Sequence, residues 1–100
     1  MSSRPSLDES AIAAACRSHG VRRLELFGSA VRDPEHANDF DFLVDLEETE
    51  AGVYVKTFFG LYDALLKIAG RPIDLVTLRS IRNPYFRKSI DRNKRLIYAA

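Results

Sequence analysis

The segment 24–46, LELFGSAVRDPEHANDFDFLVDL, limits most strongly what this 100-residue chain can fold into. It starts as an apolar strand candidate, breaks at Gly28-Ser29, and returns to an alternating strand after a short polar connection. Because strand side chains alternate between faces, the apolar residues of the second strand share one face. Asp39 and Asp41 therefore stand side by side on the opposite face.

This pair of carboxylates indicates a cation site. Adjacent carboxylates repel each other unless a cation lies between them, and hard divalent cations such as Mg2+ prefer oxygen ligands. A solvated polar strand face is the competing interpretation, because alternation is the ordinary signature of a strand. A third acid, Asp74, lies in PIDLVTL, which is otherwise typical of a buried strand. A lone carboxylate there needs a metal ion, a hydrogen bond or a salt bridge to Arg71, Arg79 or another arginine.

Gly28-Ser29, where the first predicted strand ends, predicts a turn that can bind an anion. A glycine at the end of a strand lets another group come close to the backbone. The following amides and the Ser29 hydroxyl, at the start of a predicted helix, form a concavity suited to an anion. The G-x-x-x-x-G-K-[ST] pattern of a Walker loop is absent, so this is a different kind of phosphate turn.

Composition predicts one soluble globular domain over residues 1–100, with residues 1–6 as a frayed tail. The net charge of +1 gives no argument for nucleic-acid binding. Cys16 is the only cysteine, which excludes an internal disulfide and a cysteine-based metal site. No apolar stretch is long enough to span a membrane and the N-terminus has no signal-peptide core, so a cytoplasmic protein is expected.

Periodicity and capping signals predict the order α-β-(α)-β-α-β-α, with a possible final strand. This order favours the α+β (α/β) class, a mixed sheet with helices packed on it. The predicted elements are a helix over 7–19 capped by Ser6, strands over 21–27, 39–46 and 72–78, a short helix from Ser29, helices over 53–69 and 84–92, and a last strand over 95–98.

Two surfaces have open interpretations. The aromatic stripe of the long helix, Tyr54, Phe58 and Tyr62, is interpreted mostly as core, with a partner surface as the alternative. The basic segment 79–95 is a solvated face, a phosphate-binding flank or a docking surface for an acidic partner. His19 and His36 have no partner at catalytic or metal spacing, and both are expected on the surface.

Three short motifs together resemble the minimal nucleotidyltransferase (MNT) family, the smallest branch of the polymerase-beta-like nucleotidyltransferases. They are Leu26-Phe27-Gly28-Ser29, then the run from Asp39 to Val44, then Ile73-Asp74-Leu75-Val76. The similarity extends over about residues 21–98. Many members have glycine where Asp33 stands and serine where Asn38 stands, and the connection from Ser29 to Asp39 is a residue short.

The resemblance implies a site and a reaction. Gly28 and Ser29 would hold a nucleoside triphosphate, with Arg32 as counter-charge, and the acids Asp39, Asp41 and Asp74 would bind two Mg2+ ions. The implied activity is transfer of a nucleoside monophosphate, most simply AMP from ATP, to a hydroxyl group. The implied partner is a HEPN-type toxin modified on a tyrosine, with this chain as the antitoxin.

Two other functions remain open at this point. The chain could neutralise its partner by occlusion without catalysis, or it could be the catalytic subunit of a small-molecule nucleotidyltransferase. A homo- or hetero-oligomer is possible in each case. Turnover separates these functions, because only the enzymes need all three carboxylates.

Overall fold

The computed structural model describes residues 7–100; the predicted tail 1–6, with the Ser6 cap, lies outside the described residues. The helices are α1 (Glu9–Ser18), α2 (Ser29–Arg32), α3 (Ala51–Ala69) and α4 (Pro84–Arg92). The strands are β1 (Val21–Phe27), β2 (Phe40–Leu46), β3 (Ile73–Thr77) and β4 (Lys94–Ala99). A 3-10 turn, Leu78–Ser80, follows β3.

The four strands form one mixed sheet in the order β3-β2-β1-β4. β1 pairs antiparallel with both β2 and β4, whereas β2 and β3 are parallel and joined through α3. The predicted fold class and the mixed sheet are therefore confirmed. The tentative final strand is also present, and it extends the sheet on the outer side of β1.

Element boundaries follow local capping chemistry. The cap of α1 is Asp8, whose carboxylate accepts the Ala11 amide at 3.0 Å, so the helix begins at Glu9 rather than at residue 7. The α4 cap is as predicted: Asn83 accepts two backbone amides, and proline occupies the first helical turn. Helix α3 begins earlier than residue 53, because the strong helix former Ala51 joins its first turn.

Two strand predictions are slightly too long. β2 begins at Phe40, so Asp39 lies in the bend that precedes the strand. β3 covers Ile73–Thr77, because the chain then turns into the 3-10 segment, where the Ser80 hydroxyl donates to the Thr77 carbonyl at 2.8 Å. Neither difference changes which face of the sheet Asp41 and Asp74 occupy.

The main core lies between one face of the sheet and helices α1 and α3. Its centre includes Leu24, Phe42 and Leu61, none of them more than 1% exposed. Full burial of such a side chain stabilises the fold by roughly 1.5–3 kcal/mol. The predicted aromatic stripe of α3 lies at the margin of this core and is half-buried, because the fully buried face of that helix is made by Leu61 and Leu65.

The opposite face of the sheet is only partly covered, and this positions the site. Helix α4 packs there through a small cluster of Phe27, Leu43 and Ile90, and the Phe86 ring meets Phe27 edge-on at 6.2 Å. Further along this face, Asp41 is half-buried and Asp74 of the edge strand β3 is exposed. Within residues 7–100, no helix has the length and apolarity to cross a membrane.

Candidate active site

The sheet register brings two of the three predicted acids, Asp41 and Asp74, next to each other. Asp41 lies opposite Phe27 at the end of β1 and opposite Asp74 in the neighbouring parallel strand. Paired positions project their side chains to the same face, so Asp41 and Asp74 are neighbours. Asp39 lies two residues before Asp41, directly before the first residue of β2.

The charges of Asp39 and Asp74 act on the Asp41 carboxyl group. The pKa of Asp41 is raised above its ordinary value, first by burial of the carboxyl group and then by the charges of Asp39 and Asp74. Among residues 7–100, none of the three acids forms an ion pair with a basic side chain. Neighbouring carboxylates that have no basic partner repel each other, and this repulsion favours the binding of an external cation.

The expectation that Asp74 lies on a buried apolar face is wrong. Asp74 is exposed, and β3 is an edge strand of the sheet. The salt bridges considered for Asp74 do not form either. Arg71 donates to the carbonyls of Pro34 and Ala37, and Arg79 pairs with Glu48 and stacks on Tyr54.

Gly28 has a geometric role that only glycine fulfils. Its φ of 78° and ψ of −156° lie in a region that is essentially restricted to glycine. A Cβ built on Gly28 would lie 2.6 Å from the Oδ2 atom of Asp41. The glycine therefore keeps the backbone of the turn directly against a site carboxylate, and a side chain there would displace it.

The other two predicted nucleotide-binding residues flank this glycine. Ser29 and Arg32 are the first and last residues of α2, and both are exposed. Because α2 is a single turn of four residues, its dipole is small, and an anion there would depend on the turn's own amides and side chains. The Asn93 side chain donates to the Gly28 carbonyl at 3.3 Å and ties this turn to the end of α4.

The donor set suits a hard divalent cation. It consists of three carboxylates and has no imidazole or thiolate, which is the chemistry of Mg2+ rather than of zinc. As the side chains are arranged, the described part of the chain has no cluster of three acid, histidine or cysteine groups in position to hold a metal ion. Asp39 and Asp74 are exposed, and Asp41 is half-buried.

Sequence reasoning missed two residues that position the site. Arg71 donates to Pro34 and Ala37 carbonyls at 2.6 and 2.9 Å and lies over the Phe40 ring, so it fixes the loop that leads into Asp39. Asn93 holds the Gly28 carbonyl from a distance of 65 residues in sequence. Both contacts join segments that are far apart in the sequence, so no local sequence pattern predicts them.

Cys16 and the two histidines are not among the predicted site residues. Cys16 is fully buried in the main core, and burial raises the pKa of its thiol to about 11. His36 is exposed and pairs with Asp33, as a surface histidine would. His19 is half-buried: its Nδ1 lies 2.7 Å from the Ala15 carbonyl, and its ring faces Gly60 of α3.

The mixed four-stranded sheet with its packed helices is the fold of a nucleotidyltransferase domain. The family described as "Polymerase beta, Nucleotidyltransferase" matches residues 10–100. The chain therefore belongs to this family, and its resemblance to minimal nucleotidyltransferases is confirmed.

Known relatives agree with this assignment. "Putative protein adenylyltransferase MJ1379" from Methanocaldococcus jannaschii is 37% identical over 79 residues, which are 78% of this chain and 76% of the relative. A solved "putative minimal nucleotidyltransferase" superposes with a TM-score of 0.72 at 27% identity, covering 94% of this chain and 98% of that one. A tri-AMPylated Shewanella oneidensis HEPN toxin in complex with an MNT antitoxin matches with a TM-score of 0.65 at 21% identity, over 94% and 71% of the two chains.

Proposed function

We propose that this chain is a Mg2+-dependent protein adenylyltransferase that moves AMP from ATP to a hydroxyl group of a protein partner. The observation that carries the proposal is the juxtaposition of a glycine turn with clustered carboxylates. A Cβ built on Gly28 would lie 2.6 Å from the Asp41 Oδ2 atom, so glycine leaves room for this carboxylate. The charges of Asp39 and Asp74 help to raise the pKa of Asp41. The triphosphate and a divalent cation would bind next to each other between Gly28 and Asp41.

The metal ligands would be the three acids. Asp39 and Asp41 would hold both ions, and Asp74 would complete the ligand set of one of them. A bound divalent cation would supply the positive charge that draws the phosphate oxygens toward the carboxylates. The Gly28-Ser29 turn would position the triphosphate, and Asn93 would keep the turn in place through the Gly28 carbonyl.

The transfer itself is an in-line displacement. The acceptor hydroxyl oxygen forms a bond to the α-phosphorus, and the bond from that phosphorus to the bridging oxygen breaks. Pyrophosphate leaves with the electron pair of the broken bond, and the hydroxyl proton passes to the exposed Asp74 carboxylate. The open face around β3 gives the acceptor a direct approach to this side of the site.

We favour a protein acceptor because residues 7–100 form a single sheet-based domain that leaves one side of the nucleotide uncovered. Sites that bury a small ligand usually lie between domains or subunits, and here the carboxylate face is open. One relative is named as a protein adenylyltransferase, and one structural neighbour is an MNT antitoxin bound to an AMPylated HEPN toxin. By this analogy the acceptor is a tyrosine of a HEPN-type toxin, and the chain acts as its antitoxin.

Nucleotide binding by charge variants tests the site. Asp39→Asn/Asp41→Asn should abolish Mg2+-dependent ATP binding in calorimetry and leave the circular dichroism spectrum unchanged. Asp45→Asn is the matched control, because Asp45 lies on the same strand and face as Asp41 but is four residues further along. Unchanged ATP affinity in the double variant, or an equal loss in the control, would show that the site is elsewhere.

A further inference from the structure

Glu25 is the one charged residue that is buried in the described part of the chain, with 5% of its surface exposed. It lies in β1 on the same face of the sheet as Asp41, because it precedes Phe27 by two residues and Phe27 is opposite Asp41. A buried carboxylate is costly unless it has a charged partner. The Lys94 Nζ atom lies 3.2 Å from the Glu25 Oε2 atom, and the more exposed Arg23 guanidinium lies 3.4 Å from it.

Lys94 connects this buried carboxylate to the end of α4. Lys94 is the first residue of β4, and its Nζ atom also lies 3.1 Å from the Oδ1 atom of Asp91, in the last turn of α4. Hydrogen bonds to Asp91 and then to Glu25 raise the pKa of Lys94, so the ammonium group is charged in both contacts. One side chain therefore holds β1, α4 and the start of β4 together.

The residue between α4 and β4 contacts the glycine turn. Asn93 ends α4, and its side-chain amide donates to the Gly28 carbonyl at 3.3 Å. The same carbonyl accepts the Val31 amide of α2 at 3.2 Å. Because Asn93 directly precedes Lys94, the position of its amide depends on where the ion pair holds the backbone. A shift there would move the Gly28 turn, which lies directly against the Asp41 carboxylate.

We propose that Glu25 and Lys94 are positioning residues for the transfer. Their buried ion pair fixes Asn93, and Asn93 holds the Gly28 turn where the Asp41 carboxylate and the triphosphate both fit. This inference rests on the proposed function and adds to it two residues that lie outside the proposed nucleotide and metal ligands.

Apolar replacement distinguishes a positioning pair from a merely structural one. Exchanging a buried ion pair for apolar side chains of similar volume is often neutral or stabilising, so a structural pair could be exchanged without loss of activity. A positioning pair could not, because a displacement of about 1 Å can lower turnover on the order of 100-fold.

The test compares this pair with an exposed ion pair on the same strand. Glu25→Met/Lys94→Met should keep or raise the wild-type Tm. It should lower kcat/KM for ATP by at least about tenfold, measured as AMP transfer to the HEPN-type partner. The control, Glu9→Met/Arg95→Met, removes the ion pair that the next residue of β4 forms at 2.7 Å, and it should change neither value appreciably.

Two further measurements report on the turn itself. Asn93→Ala alone should also lower kcat/KM, and its addition to Glu25→Met/Lys94→Met should cause no further loss, because all three residues act through one contact. In protein without nucleotide, the backbone NMR order parameter of Gly28 should fall from about 0.85 to below about 0.6 in Asn93→Ala and in the apolar double variant. It should stay high in the control.

The inference is overturned if Gly28 stays rigid in the folded Glu25→Met/Lys94→Met protein, if that protein keeps full activity, or if the control loses as much. Should the apolar double variant not fold, Asn93→Ala decides, and a rigid Gly28 with normal kcat/KM would overturn the inference. The order parameter needs no turnover, so the inference and the proposed function fail separately. A mobile Gly28 in both variants of a chain whose wild type transfers no AMP would support the positioning of the turn and remove the function.

Discussion

Replacing Gly28 with alanine gives the sharpest test of how the turn and the carboxylates depend on each other. The substitution has two effects. It places a Cβ in backbone geometry of φ 78° and ψ −156°, and it brings that Cβ to 2.6 Å from the Asp41 Oδ2 atom. The first effect concerns stability, and the second concerns the position of a site carboxylate.

The stability cost follows from the backbone. A non-glycine residue in this region costs roughly 1–3 kcal/mol. For a domain of this size about 2 kcal/mol corresponds to a fall in Tm of roughly 8–16 °C. The steric contact itself adds little, because the Asp41 carboxylate is the end of a side chain and can rotate away. That rotation moves the carboxylate out of the site, so turnover should fall on the order of 100-fold.

Gly70→Ala is the matched control. Gly70 also has a positive φ, 66°, at the end of α3, but a Cβ there meets no atom of the described chain within 4 Å. It should lose about 1–2 kcal/mol of stability through backbone strain alone and keep its nucleotide affinity. Thermal unfolding and ATP calorimetry, measured on both variants, separate strain from site damage. A folded Gly28→Ala protein that binds ATP as well as Gly70→Ala does would refute the reasoning.

Three further predictions concern charge, packing and the thiol. Because Asp41 has a raised pKa, the folded state holds its proton more tightly than the unfolded state does, so ionised Asp41 lowers stability once the pH exceeds its ordinary pKa of 3.8. Asp41→Asn should therefore match or exceed the wild-type Tm at pH 7, with the difference vanishing near pH 3; a clearly lower Tm at pH 7 would contradict this. Ile90→Ala should cost roughly 2–5 kcal/mol in denaturant unfolding, since Ile90 is 1% exposed and anchors α4 on Phe27 and Leu43; a loss under 1 kcal/mol would show that α4 is held otherwise. Alkylation of the buried Cys16 thiol at pH 8 should be slow and should accelerate only with global unfolding, because its pKa is about 11; fast modification of native protein would show local opening.

Much of the fold could be predicted because its signals are local. The β1 boundaries, the Asn83-Pro84 start of α4 and the mixed sheet all follow from alternation, capping and turn chemistry. The placement of Asp41 needs only the two-residue period of a strand, whereas Asp39 lies in the bend before β2. These features depend on neighbours within a few residues, which a sequence displays directly.

The sequence does not show which strand lies at the edge of the sheet. It also does not show which side chains from distant segments come into contact. Asp74 looked buried because its neighbours are apolar, but the edge position of β3 exposes it. Arg71 reaches back more than 30 residues to the loop before Asp39, and Arg92 shares a groove with Arg32. Three of the seven basic residues of the segment 79–95, namely Arg79, Lys94 and Arg95, pair with acids far away in the sequence. These facts depend on topology rather than on local pattern.

The proposed function requires that this chain modifies its partner and does not simply cover it. The most direct measurement is mass spectrometry of a HEPN-type partner after incubation with the chain, ATP and Mg2+. The account predicts a mass increase of one or more AMP units with wild-type protein, and none with Asp39→Asn/Asp41→Asn, which should still bind the partner. An unmodified partner that the double variant neutralises fully would contradict the account and establish occlusion instead.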